Sequence, residues 1–149
     1  MNQLNQHQKL FLLIAIAGSI CLAVLAYLAL VPLDIASPDT KAASAESTKY
    51  SEWFDKITLV IYVALIFISN LIYRSTGKGI NLFYGWLFFT VFTLISYVYL
   101  SNEQFHFRKE TGLWEGESSL SFLGGIFLCG VAAIAAGINY LVLKKLVKK

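Results

Sequence analysis

The run Leu10–Leu33, LFLLIAIAGSICLAVLAYLALVPL, contains no charged residue and stands directly behind Lys9. A helix needs about 20 apolar residues, within a range of about 17 to 25, to cross the hydrocarbon region of a bilayer. This stretch is long enough. Working outward, three more uncharged runs lie between consecutive charges: Ile57–Tyr73 between Lys56 and Arg74, Gly79–Asn102 between Lys78 and Glu103, and Ser118–Leu143 between Glu117 and Lys144. Across its 149 residues the chain is 57% hydrophobic and 14% charged, whereas soluble domains carry roughly 25% charged residues. Too few polar residues remain to give these helices the solvated faces of a soluble bundle. The sequence therefore predicts an all-α integral membrane protein, one domain covering 1–149, with four transmembrane helices in an up-down bundle. The expected spans are 10–33, 57–73, 80–101 and 119–143.

The first run is not read as a cleaved signal. Its uncharged core exceeds the roughly 7 to 15 residues of a signal-peptide core, and no small-x-small site follows it directly. Ile20 before Cys21 also argues against a lipoprotein, which needs a small residue there. The second run is the shortest and contains Asn70, but Lys56 and Arg74 flank it and can snorkel, while Tyr62 and Tyr73 suit an interface.

Lys and Arg collect in cytoplasmic loops. One side of the expected bundle receives Lys9, Arg74, Lys78, Lys144, Lys145, Lys148 and Lys149 and no acid. The other receives Lys41, Lys49, Lys56, Arg108 and Lys109 together with all nine acids. This asymmetry predicts an N-in, C-in protein of the bacterial inner membrane, with a basic tail lying against anionic lipid. Nucleic acid is not an expected partner, because four terminal lysines without a folded reader give no specific recognition.

Between the spans, Met1–Gln8 reads as a frayed polar segment and Ser37–Thr48, SPDTKAASAEST, as a flexible linker. Tyr50, Trp53 and Phe54 recur at helical spacing, which predicts a short interfacial turn into the second span with Trp53 as an anchor. After the aromatic third span, Phe105 and Phe107 alternate with His106 and Arg108 ahead of Gly112, a pattern expected of a short strand or hairpin. Trp53, Phe54, Phe105, His106, Phe107 and Trp114 make up a candidate partner-facing loop surface.

Small residues mark a candidate helix-packing interface. Ser121, Gly125, Cys129, Ala133 and Gly137 recur every fourth residue in the fourth run, and Ala15, Ser19 and Ala23 do so in the first. That spacing lets helix backbones approach closely. The pattern is expected to join spans one and four within the chain, or else to join subunits.

Chemistry is hard to place on this chain. His7 and His106 fall on opposite sides of the expected membrane and do not share a metal, and each reads as a polar loop residue. Cys21 and Cys129 read as small packing residues, and no Cys-x-x-Cys is present to support a thiol oxidoreductase. Gly77-Lys78-Gly79 lacks the spacing of a phosphate loop and reads as a turn. Glu115 and Glu117 beside Trp114, and Asp34 and Asp39 near the prolines, read as a solvated acidic face rather than acid and base, which need a pocket. No Asp, Glu, Lys, Arg or His lies inside a span, against the usual pattern of coupled transporters and voltage sensors. No enzyme activity, metal or cofactor is expected.

What remains is action by contact. The expected function is that of a non-catalytic inner-membrane protein that binds membrane lipids and another membrane or membrane-inserting protein, or copies of itself. Two biological forms fit: an accessory subunit of a membrane complex, or an immunity or phage-defence protein. In size, four-span layout and cytoplasmic termini the chain resembles the immunity proteins against pore-forming colicins, and the resemblance implies recognition of inserted toxin helices within the bilayer. The alternative is a small homo-oligomeric channel or passive transporter for ions or a small solute. Its polar path would use Asn70, Thr90, Thr93, Ser96 and Asn139, with Ser69 nearby.

Overall fold

The computed structural model describes residues 2–76, 83–113 and 118–147, with side chains described at all of these except 2–5, 7, 8, 75, 76, 83, 118–125, 128, 129 and 147. Four helices follow one another: α1 (Asn2–Leu30), α2 (Thr40–Thr76), α3 (Phe83–Glu110) and α4 (Ser118–Val147). The first three are long and apolar enough to cross a membrane.

In α1, Phe11, Ala15, Gly18, Ser19, Leu22, Ala26 and Ala29 are buried. Steps of three and four place them on one helix face. The helix starts at Asn2, so the polar N-terminal segment continues it rather than forming a separate tail. It stops at Leu30 because Pro32 has no N–H to extend the ladder. The chain then turns through Leu33 N–H to Leu30 O at 3.0 Å and Ala36 N–H to Asp34 Oδ1 at 2.9 Å.

The segment expected to be a linker is instead helix from Thr40 onward. Asp39 supplies the N-cap: its Oδ1 accepts the Ala42 N–H at 2.9 Å, satisfying one of the donors that a helix start leaves free. Ala42, Ala43 and Ala45 favour helix once the cap is in place. The 37 residues of α2 span about 55 Å, well beyond the roughly 30 Å of hydrocarbon. Tyr50–Lys56 is therefore part of one continuous helix, not a separate turn.

Helix α3 keeps pace with it and runs to Glu110. The strand or hairpin expected around Phe105–Arg108 is absent, because Phe107 is buried while Phe105 and His106 face outward, a helical rather than alternating pattern. Gly112 plays a different part from a hairpin turn: with φ 71° it takes the left-handed conformation that closes the helix C-terminus.

Among the described residues α1 packs on α2 and α3, and α4 also packs on α2 and α3, while α1 and α4 share no contact. Among the described residues of the two small-residue rows, those on α1 pack toward α2 and α3 rather than toward α4. Among the described glycines the tightest sites are Gly18 and Gly85. A Cβ on Gly18 of α1 would lie 3.1 Å from Ile61 of α2 and 3.4 Å from Phe89 of α3, so α1 wedges between them. A Cβ on Gly85 of α3 would come within 2.8 Å of the Phe11 ring. The core between the helices holds Leu22, Phe54, Tyr62, Leu65, Phe89 and Tyr97, with Ala132 and Ala136 from α4.

Candidate functional site

Several polar side chains inside the apolar segments bond to one another across helices. Asn70 Nδ2 of α2 donates to Asn139 Oδ1 of α4 at 3.1 Å and also to its own helix at Ile66 O, 2.9 Å. Asn139 Nδ2 in turn donates to Ser69 Oγ at 3.0 Å, and Ser69 Oγ to Ile66 O at 2.7 Å. These bonds form a clamp between α2 and α4. A cavity of about 20 Å³ lies beside it, bounded by Ser69, Leu65, Trp86 and Tyr140, roughly the space of one water.

The other members of the expected polar path are engaged as well. Thr90 accepts from the Tyr62 hydroxyl at 3.0 Å, so it ties α2 to α3. Thr93 and Ser96 donate to carbonyls of their own helix, at Phe89 and Phe92. In α2, the hydroxyl of Thr58 is buried without a hydrogen-bond partner. The structure thus brings Asn70 and Asn139 together and places Thr90, Thr93 and Ser96 apart from them on α3.

A second polar seam joins the long extensions of α2 and α3. Gln104 Nε2 donates to Ser47 Oγ at 2.8 Å and to Ser51 Oγ at 2.7 Å, and Arg108 donates to Thr48 Oγ1 at 3.0 Å. Ala43, Ser47 and Ser51 are spaced by four on α2, and the first two are buried. This is the small-residue stripe that packs in this part of the chain, and it lies in the segment whose composition suggested a linker. One turn further along α2, the Tyr97 hydroxyl donates to half-buried Asp55, and the Phe54 and Tyr97 rings meet edge to face at 4.8 Å. The partners rise along α2 as they fall along α3: Ser47 with Gln104, Asp55 with Tyr97, Tyr62 with Thr90.

The candidate loop surface divides accordingly. Phe54 and Phe107 are interior residues, at 0% and 3% exposure, and Phe54 ties α2 to α3 through the Tyr97 ring. Trp53, 51% exposed, stands on the outer face with the Lys56 ammonium 5.6 Å from its ring centre. Phe105 and His106 are exposed and contact each other edge to face. Trp114 lies outside the described residues.

Among the expected packing residues, Ala15 and Ser19 are buried, Ala23 is exposed and Ala133 is partly buried. Gly137 faces Trp86 of α3, with a Cβ there 3.6 Å from the indole. The side chains at Ser121, Gly125 and Cys129 lie outside the described residues. Ser19 and Ala23 also line an apolar groove of about 380 Å³ between α1 and α3, walled by Tyr27, Phe88 and Phe92. Gly18 and Gly85, the tightest of the described glycine sites, stand outside the four-residue rows on which the small-residue reading rested. Gly18 lies three residues after Ala15 and four before Leu22 on the buried face of α1, a signal that a strict four-residue row passes over.

Comparison of the chain with protein-family models, with curated proteins and with solved structures found no match in any of the three.

Proposed function

We propose that this chain is a four-span protein of the bacterial inner membrane, with both termini cytoplasmic, acting without catalysis through contacts with another membrane or membrane-inserting protein. The observation that carries this reading is where the polar groups go. Within the apolar segments Asn70, Asn139, Ser69, Tyr62 and Thr90 bond between helices, whereas large apolar side chains such as Phe67, Phe88, Ile95 and Phe127 face outward. An outward surface of that kind suits lipid and partner helices, and interhelical hydrogen bonds of this sort are usual glue in membrane bundles.

The up-down arrangement is supported by contacts and reach. Phe11 meets Gly85 and Gly18 meets Phe89, so α1 and α3 run the same way, and the hydrogen-bond pairs set α2 against α3. Gly137 of α4 sits against Trp86. Were α4 parallel to α3, its start would lie about 64 Å from Glu110, while the chain from Glu110 to Ser118 reaches at most about 29 Å. Antiparallel running closes that gap. The uncharged run Ser118–Leu143 inside α4 supports a fourth span, and the acid-free end carrying Lys9, Arg74 and the lysine tail supports placing both termini in the cytoplasm.

An accessory subunit of a membrane complex and an immunity or defence protein are the two forms this reading takes. Its rival is the homo-oligomeric channel. Purified protein reconstituted in liposomes separates them. Electrical silence together with one co-purifying membrane partner supports the contact role, and ion or solute flux whose selectivity changes on Asn70→Ala or Thr93→Ala overturns it.

A further inference from the structure

We propose that Asp55 is a proton-operated latch on the α2–α3 extension: when its carboxyl takes up a proton, residues 43–55 of α2 and 97–110 of α3 pack more tightly, and when it releases the proton they loosen. The inference is independent of the proposed contact role.

Asp55 sits where the polar seam gives way to apolar packing. Ser51, one turn before it, accepts from Gln104 at 2.7 Å, and Thr58, one turn after it, is buried with a hydroxyl that has no partner. Between them the Tyr97 hydroxyl donates to Asp55 Oδ1, and the Tyr97 ring packs edge to face on Phe54. The bonds at Gln104 and Arg108 and between Tyr62 and Thr90 use groups that keep their charge through the acid and neutral range. The Asp55 carboxyl does not. It stands outside the uncharged run Ile57–Tyr73, so water can deliver a proton to it.

Taking a carboxylate out of water disfavours its charged form unless a cation or donors compensate. No cation does so here: among the described residues the ion pair is Lys56 with Glu52 at 3.7 Å. Burial pushes the Asp55 carboxyl up from its ordinary value, the Tyr97 hydroxyl opposes that rise and Glu52 adds to it. Helices α1 and α4 bring no charge to it. The first is uncharged from Leu10 to Leu30, and its Cys21 and Tyr27 are exposed. On α4, Tyr140, Lys144 and Lys145 lie beyond Asn139, which meets Asn70 about 22 Å along α2 from Asp55. About 9 to 16 Å along α3 from Tyr97, Glu103 is half-buried, His106 faces outward and Arg108 bonds to Thr48.

Once the extension opens, Asp55 meets water and recovers its ordinary affinity for protons, whereas the closed form holds a proton more tightly. Protons therefore favour closure: the added stability is fully present below the ordinary carboxylate value and is lost as pH rises through the higher value of the closed form. The neutral carboxyl keeps an oxygen that accepts from Tyr97, so the interhelical bond survives as the buried charge disappears.

The test is deuterium exchange of backbone amides in the full-length protein in mixed micelles, from about pH 4 to about pH 8, read as protection factors so that the intrinsic pH dependence of exchange cancels. In the wild type, amides in residues 43–55 and 100–110 should lose protection by at least about threefold as pH rises. Asp55→Asn, permanently neutral, should hold the acid level of protection at every pH. Glu52→Gln, at an exposed position, should move the midpoint of the transition to lower pH, and His106→Gln should leave it in place. Wild-type protection that does not change with pH, or that rises with it, overturns the proposal. So does an Asp55→Asn protein that titrates like the wild type, a Glu52→Gln midpoint that stays put or rises, or a transition that His106→Gln abolishes. The Glu52 variant decides the matter even if Asp55→Asn does not fold.

Discussion

Replacing Gly85 by Ala perturbs the tightest of the described glycine sites. The new Cβ would lie 2.8 Å and 2.9 Å from two carbons of the Phe11 ring, nearer than carbon atoms approach, and Phe11 is itself buried. The ring or the helix must move. Overpacking of this kind costs about 1–3 kcal/mol, while exchanging Gly for Ala in a helix returns about 0.8–1.0 kcal/mol of intrinsic propensity. Gly130 in α4 supplies the control, because a Cβ there meets nothing within 4 Å. The propensity gain is common to both sites, so the difference between the two variants isolates the packing cost: Gly85→Ala should be about 1–3 kcal/mol less stable than Gly130→Ala. Reversible unfolding in mixed micelles, followed by far-ultraviolet circular dichroism, measures that difference. Adding Phe11→Leu to Gly85→Ala should recover part of the loss, because the clash and its relief involve the same pair. If Gly85→Ala and Gly130→Ala stabilise the protein equally, α1 and α3 do not approach as described.

Further outcomes follow from the hydrogen-bond network. In a double-mutant cycle with Asn70→Leu and Asn139→Leu, the pair should show a coupling energy of about 0.6–2 kcal/mol, and a value near zero would remove the clamp between α2 and α4. Thr58→Val should stabilise the protein by about 1 kcal/mol in the same unfolding assay, because it removes a buried hydroxyl that has no partner. Ser47→Leu should loosen the α2–α3 extension by forcing bulk into a buried contact. Backbone amides in residues 40–51 and 100–110 should then exchange with deuterium at least tenfold faster, with the apolar segments unchanged.

The uncharged runs made the helices legible, because an apolar stretch of that length has few alternatives. The extensions were harder to read. SPDTKAASAEST has the composition of a linker, yet Pro38-Asp39 ahead of an alanine-rich stretch is also a helix start, and Ala43, Ser47 and Ser51 are a four-residue stripe awaiting a partner. That partner, Gln104 on α3, comes from a distant part of the sequence, and without it the stripe looks like solvent-facing polarity. Phe105 and Phe107 misled for the same reason, since two aromatics two apart fit a strand until the burial of only one of them is known. Of the small-residue row on α1, Ala15 and Ser19 are buried and Ala23 is exposed. Spacing defines a face but not the neighbour it meets, and α1 meets α2 and α3 rather than α4. The polar residues of the candidate path were legible one by one, but not that Asn70 and Asn139 face each other. Their bonding to each other depended on helix register, which single-helix periodicity does not contain.

The contact role is tested most directly by the mass of the complex extracted from native membranes in mild detergent. A species whose mass exceeds that of the 16.6 kDa chain by an amount that whole copies of the chain do not account for, containing one distinct membrane protein in fixed ratio, is the predicted result. A homo-oligomer of whole-number mass that conducts ions when reconstituted would contradict it.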